Sequence, residues 1–424
     1  MLISATLLFI LQDPQPSQTV PVDTRAHLVR LATTWLEDQG LTLGRQTRGD
    51  GEVWIGLGDG TVMFGPESGE FAEGRWFAYQ EASIEAKMEY VRFLGVRQFT
   101  EWESGSQRNP ASGAVAGQVP VVDIDQLIAD KAKQLELAEL DAKLREAGVS
   151  EIDIQQAESP LALRQLYQRT VQERFVQQAV QDLQGLQVIK TIEGSPGDRS
   201  AYGVCVLVLF RPENRSLADA FGGGWAPGAA AQEPGRELAE YLPEDEPGMI
   251  PEFGLRLVRG PDGGRCLIAY GQAGVLLDGT EDAEERGFAT ADSRDLARNR
   301  AQAELAAFVS AVGELRSSDS AGAQSGRSRV LFPKGRETFV TDRLLRREME
   351  RSYKVHAQAE LEGVVVLREW GPVPHPAGGH PVMGIALAWS ADAFLPLRAA
   401  GDGKEPGRAG GKTVISSKDV PIDW

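Results

Sequence analysis

The residues with the clearest capacity for chemistry are three histidines in the last fifth of the chain. His375 and His380 lie in one Gly- and Pro-containing stretch, and His356 lies upstream of it. Neutral imidazoles bind transition metals, so these three are the candidate metal ligands. The loop between His375 and His380 holds no carboxylate or cysteine to complete a ligand set, and the related segment 193–198 has no histidine. We therefore favour a hairpin turn here and predict neither a metal nor another cofactor.

A glycine-rich run, Gly56-Leu57-Gly58-Asp59-Gly60, is the second candidate because such runs cradle phosphates. A phosphate loop must lie between a strand and a helix, so that the helix N-terminus faces the anion. Here the apolar residues 61–64 follow at once and indicate a further strand. Asp-Gly is a preferred pair in tight hairpin turns, so we predict a hairpin with its turn at Asp59-Gly60.

Paired carboxylates and cysteines give no catalytic constellation either. Glu89 and Glu304 occupy equivalent places in two similar helices and would suit acid–base work, but exposed helix charges are the simpler interpretation. Cys205 and Cys266 lie in apolar runs, which favours two buried thiols, and one bridge between them stays open if the protein is exported. No serine occupies a G-x-S-x-G elbow. We predict that the protein is not an enzyme.

These residues are placed by a repeat. Residues 54–64 align without a gap on residues 267–277, and residues 183–188 resemble residues 361–366. After the first pair of segments, Arg75-Trp76-Phe77-Ala78 resembles Arg286-Gly287-Phe288-Ala289, and Ala-rich helical patterns follow. Within these helices Ala86, Glu89 and Phe93 match Ala301, Glu304 and Phe308. Each copy has the order strand–strand–helix–strand–strand. The repeat predicts an α+β fold of two related modules, each a small, mainly antiparallel sheet with a packed Ala-rich helix.

Composition shifts divide the chain into five predicted parts. They are a leader or disordered segment (1–22), a first module (23–221) with a helical insert (122–184), a Gly/Pro/acidic linker (222–252), a second module (253–398) and a flexible tail (399–424).

The insert reads as a helical hairpin broken at Gly148, and its second arm begins at Ser159-Pro160, an N-cap followed by an N1 proline. It either offers a coiled-coil-like surface to a partner or packs on its own module, which we favour. The candidate partner-binding residues are Leu137, Leu144, Tyr167 and Phe175 in the insert and Trp225 in the linker, although Trp225 suits an anchor within the chain better.

Charge and the N-terminal sequence bear on partners and location. A net charge of −17 and a pI near 4.9 argue against nucleic acid as a partner.

The apolar run Leu2–Leu11 is too short to cross a bilayer but has the length of a signal-peptide core, and a polar, Pro-rich stretch follows it. We expect export to the periplasm or envelope and no transmembrane segment in the mature chain. The alternative is a cytoplasmic protein in which Leu2–Leu11 belongs to the folded core.

The second Ala-rich helix has the form Ala-x-x-Arg-x-x-Ala-Glu-Leu-x-x-Phe, here Ala297, Arg300, Ala303, Glu304, Leu305 and Phe308. With the strand pairs around it, this pattern resembles the small α/β domain of the flagellar assembly protein T N-terminal domain, of small envelope lipoproteins and of exported bacterial proteins with tandem copies. The resemblance covers residues 50–95 with 186–221, and 265–314 with 353–397. It implies a non-enzymatic envelope or assembly role and supplies no catalytic residues. The chain lacks the lipobox cysteine of the lipoproteins.

Three functions follow as hypotheses. The first is a non-catalytic, exported envelope or assembly protein that acts through protein–protein contacts, its partner an envelope component. The second is a metal- or small-molecule-dependent enzyme with a site between the modules. The third is a cytosolic scaffold of the same fold.

Overall fold

The structure is a computed structural model that describes residues 23–48, 51–104, 124–157, 159–196, 201–223, 234–277, 281–309, 364–378, 381–390 and 414–419. The predicted leader 1–22 lies outside these residues. The protein has the predicted α+β fold with two related modules, each built on its own antiparallel sheet. Within the described ranges, none of the helices is both long and apolar enough to cross a membrane.

The first module places a five-stranded sheet between helices. Its elements are α1 (Thr24–Asp38), β1 (Gly44–Arg48), β2 (Gly51–Thr61), α2 (Phe71–Ser104), α3 (Ile124–Gln134), α4 (Leu137–Glu146), α5 (Glu151–Gln156), α6 (Pro160–Asp182), β3 (Gln187–Gly194), β4 (Gly203–Phe210) and α7 (Pro212–Gly223). The strand order is β1-β2-β4-β3-β9, where β9 (Val414–Ser416) comes from the far end of the chain. Every strand pair in this sheet is antiparallel.

The central strand β4 shows why its sequence is apolar throughout. Successive side chains of a strand point to opposite faces of the sheet. Val204, Val206 and Val208 therefore enter the core beneath α2, while Cys205 and Leu207 enter the core beneath α1. A strand covered on both faces therefore reads as a nearly continuous apolar run.

The second module repeats this plan with four strands. Its elements are a 3₁₀ turn (Leu238–Tyr241), α8 (Glu246–Met249), β5 (Gly254–Arg259), β6 (Arg265–Gly274), α9 (Ala283–Val309), β7 (Val364–Pro374) and β8 (Pro381–Ser390). The strand order is β5-β6-β8-β7. Helix α9 covers one face of the sheet.

The other face of the second sheet is covered by residues predicted to be a linker. Leu238, Tyr241, Met249 and Ile250 are buried against β6 and β8. The second part of the predicted linker 222–252 is therefore core, and its composition misled because turns and short helices use the same Gly, Pro and acidic residues as linkers. The predicted linker residue Trp225 lies outside the described residues.

The glycine-rich run is not a hairpin turn, and that prediction is wrong. Asp59 and Gly60 lie inside the continuous strand β2, paired with Cys205 and Val204. The glycines serve close packing: a Cβ on Gly58 would lie 1.9 Å from Ala82 O of α2. Glycine inside a strand commonly marks such an approach of another backbone.

Equivalent contacts confirm most of the repeat. A Cβ on Gly271 would lie 1.9 Å from Ala297 O and 2.6 Å from Ala301 N, which matches the approach of Gly58 to Ala82 and Ala86 in the first module. Strands β3 and β7 both shift register against their partner, between Val188 and Lys190 and between Val366 and Arg368. These positions agree with the alignment of residues 183–188 on residues 361–366.

The two tetrapeptides of the repeat lie at different places, because the second helix is four residues longer between its arginine and its glutamate. Measured from the equivalent alanines Ala82 and Ala297, Arg286 lies about one helical turn farther toward the helix N-terminus than Arg75. Arg75 is buried, whereas Arg286 is exposed on the first turn of α9. The two arginines share a sequence pattern without sharing a place.

The two modules interlock. Phe253 precedes β5 yet enters the first core, where its ring stacks on Tyr79 with centroids 4.9 Å apart. In return, Ala72 of α2 enters the core of the second module. Cys205 and Cys266 are buried in different cores, so no disulfide joins the modules. Burial raises the pKa of the Cys205 thiol, which leaves it unreactive.

Candidate functional site

Capping hydrogen bonds at the N-termini of α5 and α6 stabilise the helical insert. Ser150 Oγ accepts a hydrogen bond of 3.2 Å from Asp153 N and begins α5. Ser159 Oγ accepts one of 3.1 Å from Ala162 N at the start of α6, as the Ser159-Pro160 pattern predicts. Such caps satisfy backbone N–H groups that have no partner within the helix.

The insert also has a small core of its own. Leu140, Leu144, Ile154 and Tyr167 are buried together in it. Polar contacts align α3 against α6: Gln172 Nε2 donates to Asp125 Oδ1 at 2.8 Å, and Arg164 Nε donates to Ala132 O at 3.1 Å. The insert therefore holds its shape largely through contacts within itself.

Contact between the insert and the first module runs through α2. Helices α3 and α6 both touch α2, and Phe175 packs against the core beneath it. The insert is thus a helical bundle that packs on its own module, which is the alternative favoured from the sequence.

Three large apolar side chains of the insert stay in solvent. Leu137 at the start of α4 is 44% exposed, Ile152 in α5 is 67% exposed, and Leu161 at the start of α6 is 65% exposed. An open cleft of about 870 Å³ lies between the turn at Gly148 and the polar side of α6, where Arg169 and Glu173 line it. Ile152 and Leu161 each adjoin in sequence a residue that lines the cleft, Asp153 and Ala162. A contiguous exposed apolar patch is what marks a surface that contacts another protein.

The candidate partner-binding residues divide accordingly. Leu137 is exposed as a contact residue must be, but Leu144 and Tyr167 are wholly buried and Phe175 faces α2. The apolar stripe of the insert predicts which side chains can be buried, and neighbouring helices cover most of them. The sequence analysis missed Ile152 and Leu161. Both are apolar residues outside this stripe, and that position is the signal that could have identified them as exposed.

A second set of functional-type residues meets where the modules join. Arg75 of α2 donates to Glu193 of β3 through Nε at 2.7 Å and also through Nη2. Its Nη2 donates to Ile250 O at 2.9 Å, and its Nη1 lies 3.5 Å from Gln272 Oε1. Because Ile250 and Gln272 belong to the second module, this arginine ties the modules together.

His375 completes this junction. Its Nδ1 accepts a hydrogen bond of 3.1 Å from Ala377 N, so the ring proton lies on Nε2, which faces Glu193 Oε1 at 4.0 Å. The rings of Phe71 and Tyr202 enclose the imidazole edge-on at 5.1 and 5.7 Å. Burial and the Arg75 charge lower the pKa of His375 to about 4, so the ring is neutral at neutral pH.

The carboxylate at the junction is ionised. Burial alone would raise the pKa of Glu193, but the charge of Arg75 and the hydrogen bonding of His375 hold it below its ordinary value. Arg75 and Glu193 are 1% and 0% exposed. The arrangement is a closed polar core in which Arg75 and Glu193 form a structural ion pair.

The histidine set does not come together as a metal site in the described structure. His375 accepts a hydrogen bond from Ala377 N and lies beside Glu193, while His356 and His380 lie outside the described residues. Among the residues that are described, no group of three or more His, Cys, Asp or Glu side chains is arranged to hold a metal ion.

The paired carboxylates have separate roles. Glu304 is buried on α9 and accepts a hydrogen bond of 2.9 Å from Tyr79 OH on α2, which contradicts the expectation of an exposed charge. Glu89 is exposed beside Arg92, as expected. The carboxylates are equivalent in the repeat but do not act on a common point.

Comparison with known proteins finds a family model that matches part of the chain. Residues 125–222 match a family model described as a domain of unknown function (DUF6844), a region that runs from the first helix of the insert through β3 and β4 into α7. No curated protein sequence matches the chain. Among solved structures, a hypothetical protein from Francisella tularensis is 16% identical, with a TM-score of 0.49 over 88% of this chain and 93% of that one.

Proposed function

We propose that the protein is a non-catalytic, exported envelope or assembly protein that binds another protein through its helical insert. The observation that supports this proposal most is the exposure of Leu137, Ile152 and Leu161 on a bundle that already has a buried core of its own. These three side chains are not needed to fill that core. Burying them against a partner would remove apolar surface from water, which is the main favourable term in association.

The buried junction supports a scaffold function. Arg75 contacts both Glu193 of the first module and Gln272 of the second, and these contacts fix the modules relative to each other. A rigid pair of modules suits a platform that presents the insert, because little conformational freedom is then lost on binding. Export is proposed on the N-terminal sequence alone, with Leu2–Leu11 as the signal-peptide core.

Site-specific photocrosslinking tests the binding surface. A photoreactive amino acid at position 161 in the full chain, expressed in bacterial cells, should give a discrete adduct with one protein. The matched control carries the same group at Leu276, which is 60% exposed on the second module and lies outside the insert. Ile152→Asp in the crosslinking chain should remove the adduct without changing the melting temperature, since this side chain is in solvent.

Two outcomes would contradict the proposed surface: adducts of equal yield from positions 161 and 276, or an adduct that survives Ile152→Asp. Export is measured separately, by the mass of the N-terminal peptide after cell fractionation. Loss of the residues before about position 23 in the periplasmic fraction supports export, and an intact Met1 in the cytosol contradicts it.

A further inference from the structure

The segment 414–419, here called the β9 segment, pairs with the edge of the first sheet. Val414, Ile415 and Ser416 pair with the last three residues of β3. Beyond the strand, Ser417 N donates to Thr191 O at 2.8 Å, and Ser417 Oγ accepts from Thr191 N at 2.8 Å. The segment therefore satisfies backbone groups that an edge strand otherwise presents to solvent or to another chain.

Charged side chains of both modules receive the rest of the segment. From the first module, Lys190 Nζ donates to Ser417 O and to Asp419 Oδ1, and Trp35 Nε1 donates to the same Asp419 oxygen at 2.9 Å. Among described residues, the hydrogen bonds of this ammonium group go to the β9 segment. Lys190 is nevertheless only 5% exposed at its side chain, so it is a nearly buried charge aimed at the segment.

The second module receives the lysine of the segment. Glu252 Oε1 accepts from Lys418 N, and Lys418 Nζ donates to Glu240 O and Leu242 O, each at 2.8 Å. Burial raises the pKa of Glu252, while Arg256 and the backbone N–H of Lys418 oppose that rise. The two modules thus provide hydrogen-bond partners for a serine, a lysine and an aspartate in consecutive positions.

These contacts are those of peptide recognition rather than of a core. The described side chains of the segment, from Ser416 to Asp419, are polar, and polar groups that separate exchange their partners for water. Addition of a strand to a sheet edge, with specificity from side-chain pockets, is a known mode of peptide binding. Residues 391–413, a stretch with five glycines, connect β8 to the segment.

We propose that the edge of β3, together with Lys190 and Glu252, is a strand-acceptor site for an extended Ser-Lys-Asp segment, and that the β9 segment is its exchangeable occupant. The occupant in trans is the same segment of a second copy of this chain, since it already has the matching side chains. Exchange of an identical element between copies is a low-cost route to association. This inference does not depend on the helical insert.

The test keeps the protein folded throughout. A protease recognition sequence is placed between Gly410 and Gly411 of the full chain, and the folded protein is cut there. A fluorescent peptide of residues 411–424 is then titrated against the cut protein and followed by anisotropy. We expect saturable binding at one site per protein, competed by unlabelled peptide.

Variant peptides show whether the acceptor site reads the side chains. Lys418→Glu should weaken binding at least tenfold, because it places a carboxylate beside the Glu240 and Leu242 carbonyl oxygens. Ser416→Ala, at an exposed position, is the matched control and should bind within twofold of the natural peptide.

Three results would overturn the proposal. The first is retention of the cut segment for days without exchange, which would make it an integral strand. The second is loss of the segment with no binding of the peptide, and the third is binding of the Lys418→Glu peptide as tightly as the control.

Discussion

Replacing Glu193 by glutamine should destabilise the protein far more than such a small change in side-chain structure suggests. The substitution keeps the shape of the side chain and removes its charge, which leaves Arg75 as a buried cation without its counter-ion. Removing one partner of a buried ion pair costs about 3–5 kcal/mol. Arg75 keeps two neutral acceptors, Ile250 O at 2.9 Å and Gln272 Oε1 at 3.5 Å. We therefore expect a loss near the lower limit, about 3 kcal/mol.

The measurement is the free energy of unfolding from urea denaturation, followed by tryptophan fluorescence, since Trp76 lies next to Arg75 in α2. The matched control is Glu173→Gln, which removes an exposed ion pair with Arg169 at 2.8 Å. An exposed i,i+4 pair is worth only about 0.3–0.5 kcal/mol. The two variants therefore differ only in whether the charge left behind is buried.

A double variant sharpens the test. Replacing both partners, by Arg75→Met with Glu193→Leu, removes the buried charges together, and such replacement is often neutral or stabilising. It should cost less than Glu193→Gln alone. If Glu193→Gln costs no more than Glu173→Gln, or if the double variant is the worst of the three, the junction is not held as an ion pair and the reasoning fails.

Acid should weaken the same junction. The pKa of His375 is about 4 in the folded protein and about 6.5 in the unfolded chain. The contribution of the neutral ring to the free energy of unfolding is therefore complete above pH 6.5 and is lost as the pH falls toward 4. This pKa shift corresponds to at most about 3 kcal/mol of stability. The His375→Gln variant should therefore show a smaller fall of the urea midpoint between pH 7 and pH 5 than the natural protein. An unchanged fall would contradict the lowered pKa of His375. Gly58→Ala should cost about 2 kcal/mol by forcing α2 away from β2, and Gly271→Ala should cost a similar amount in the second module. Gly65→Ala, which meets nothing within 4 Å, is the control, and equal urea midpoints for all three would show that the helices do not depend on the close approach.

The α+β class and the repeat could be predicted because both rest on local pattern. Apolar residues at every position of 203–209 indicate a strand covered on both faces, and β4 is such a strand. Glycine and alanine recur at matching places because a strand and its helix approach equally closely in both modules. The hairpin at Asp59-Gly60 was mispredicted for the same reason: the local pattern of a turn and that of a close approach both require glycine.

The segments beyond the modules were mispredicted because composition does not report pairing. The predicted tail 399–424 contains the β9 segment, which bonds to β3, Glu252 and Trp35. The predicted linker contains Tyr241 and Ile250, which cover the second sheet. Gly, Pro and polar residues are compatible with docking whenever another part of the chain supplies the partner.

The sequence by itself determined what each short stretch is able to form: two copies of a strand pair with an Ala-rich helix, a helical insert with an apolar stripe, and no contiguous catalytic motif. Only the tertiary structure decided which polar groups meet. Arg75 and Glu193 are 118 positions apart, and Lys190 and Asp419 are 229 apart, so no local spacing links them. It also decided that Leu144 and Tyr167 are buried while Ile152 and Leu161 remain in solvent, since exposure depends on which neighbouring helix covers a side chain.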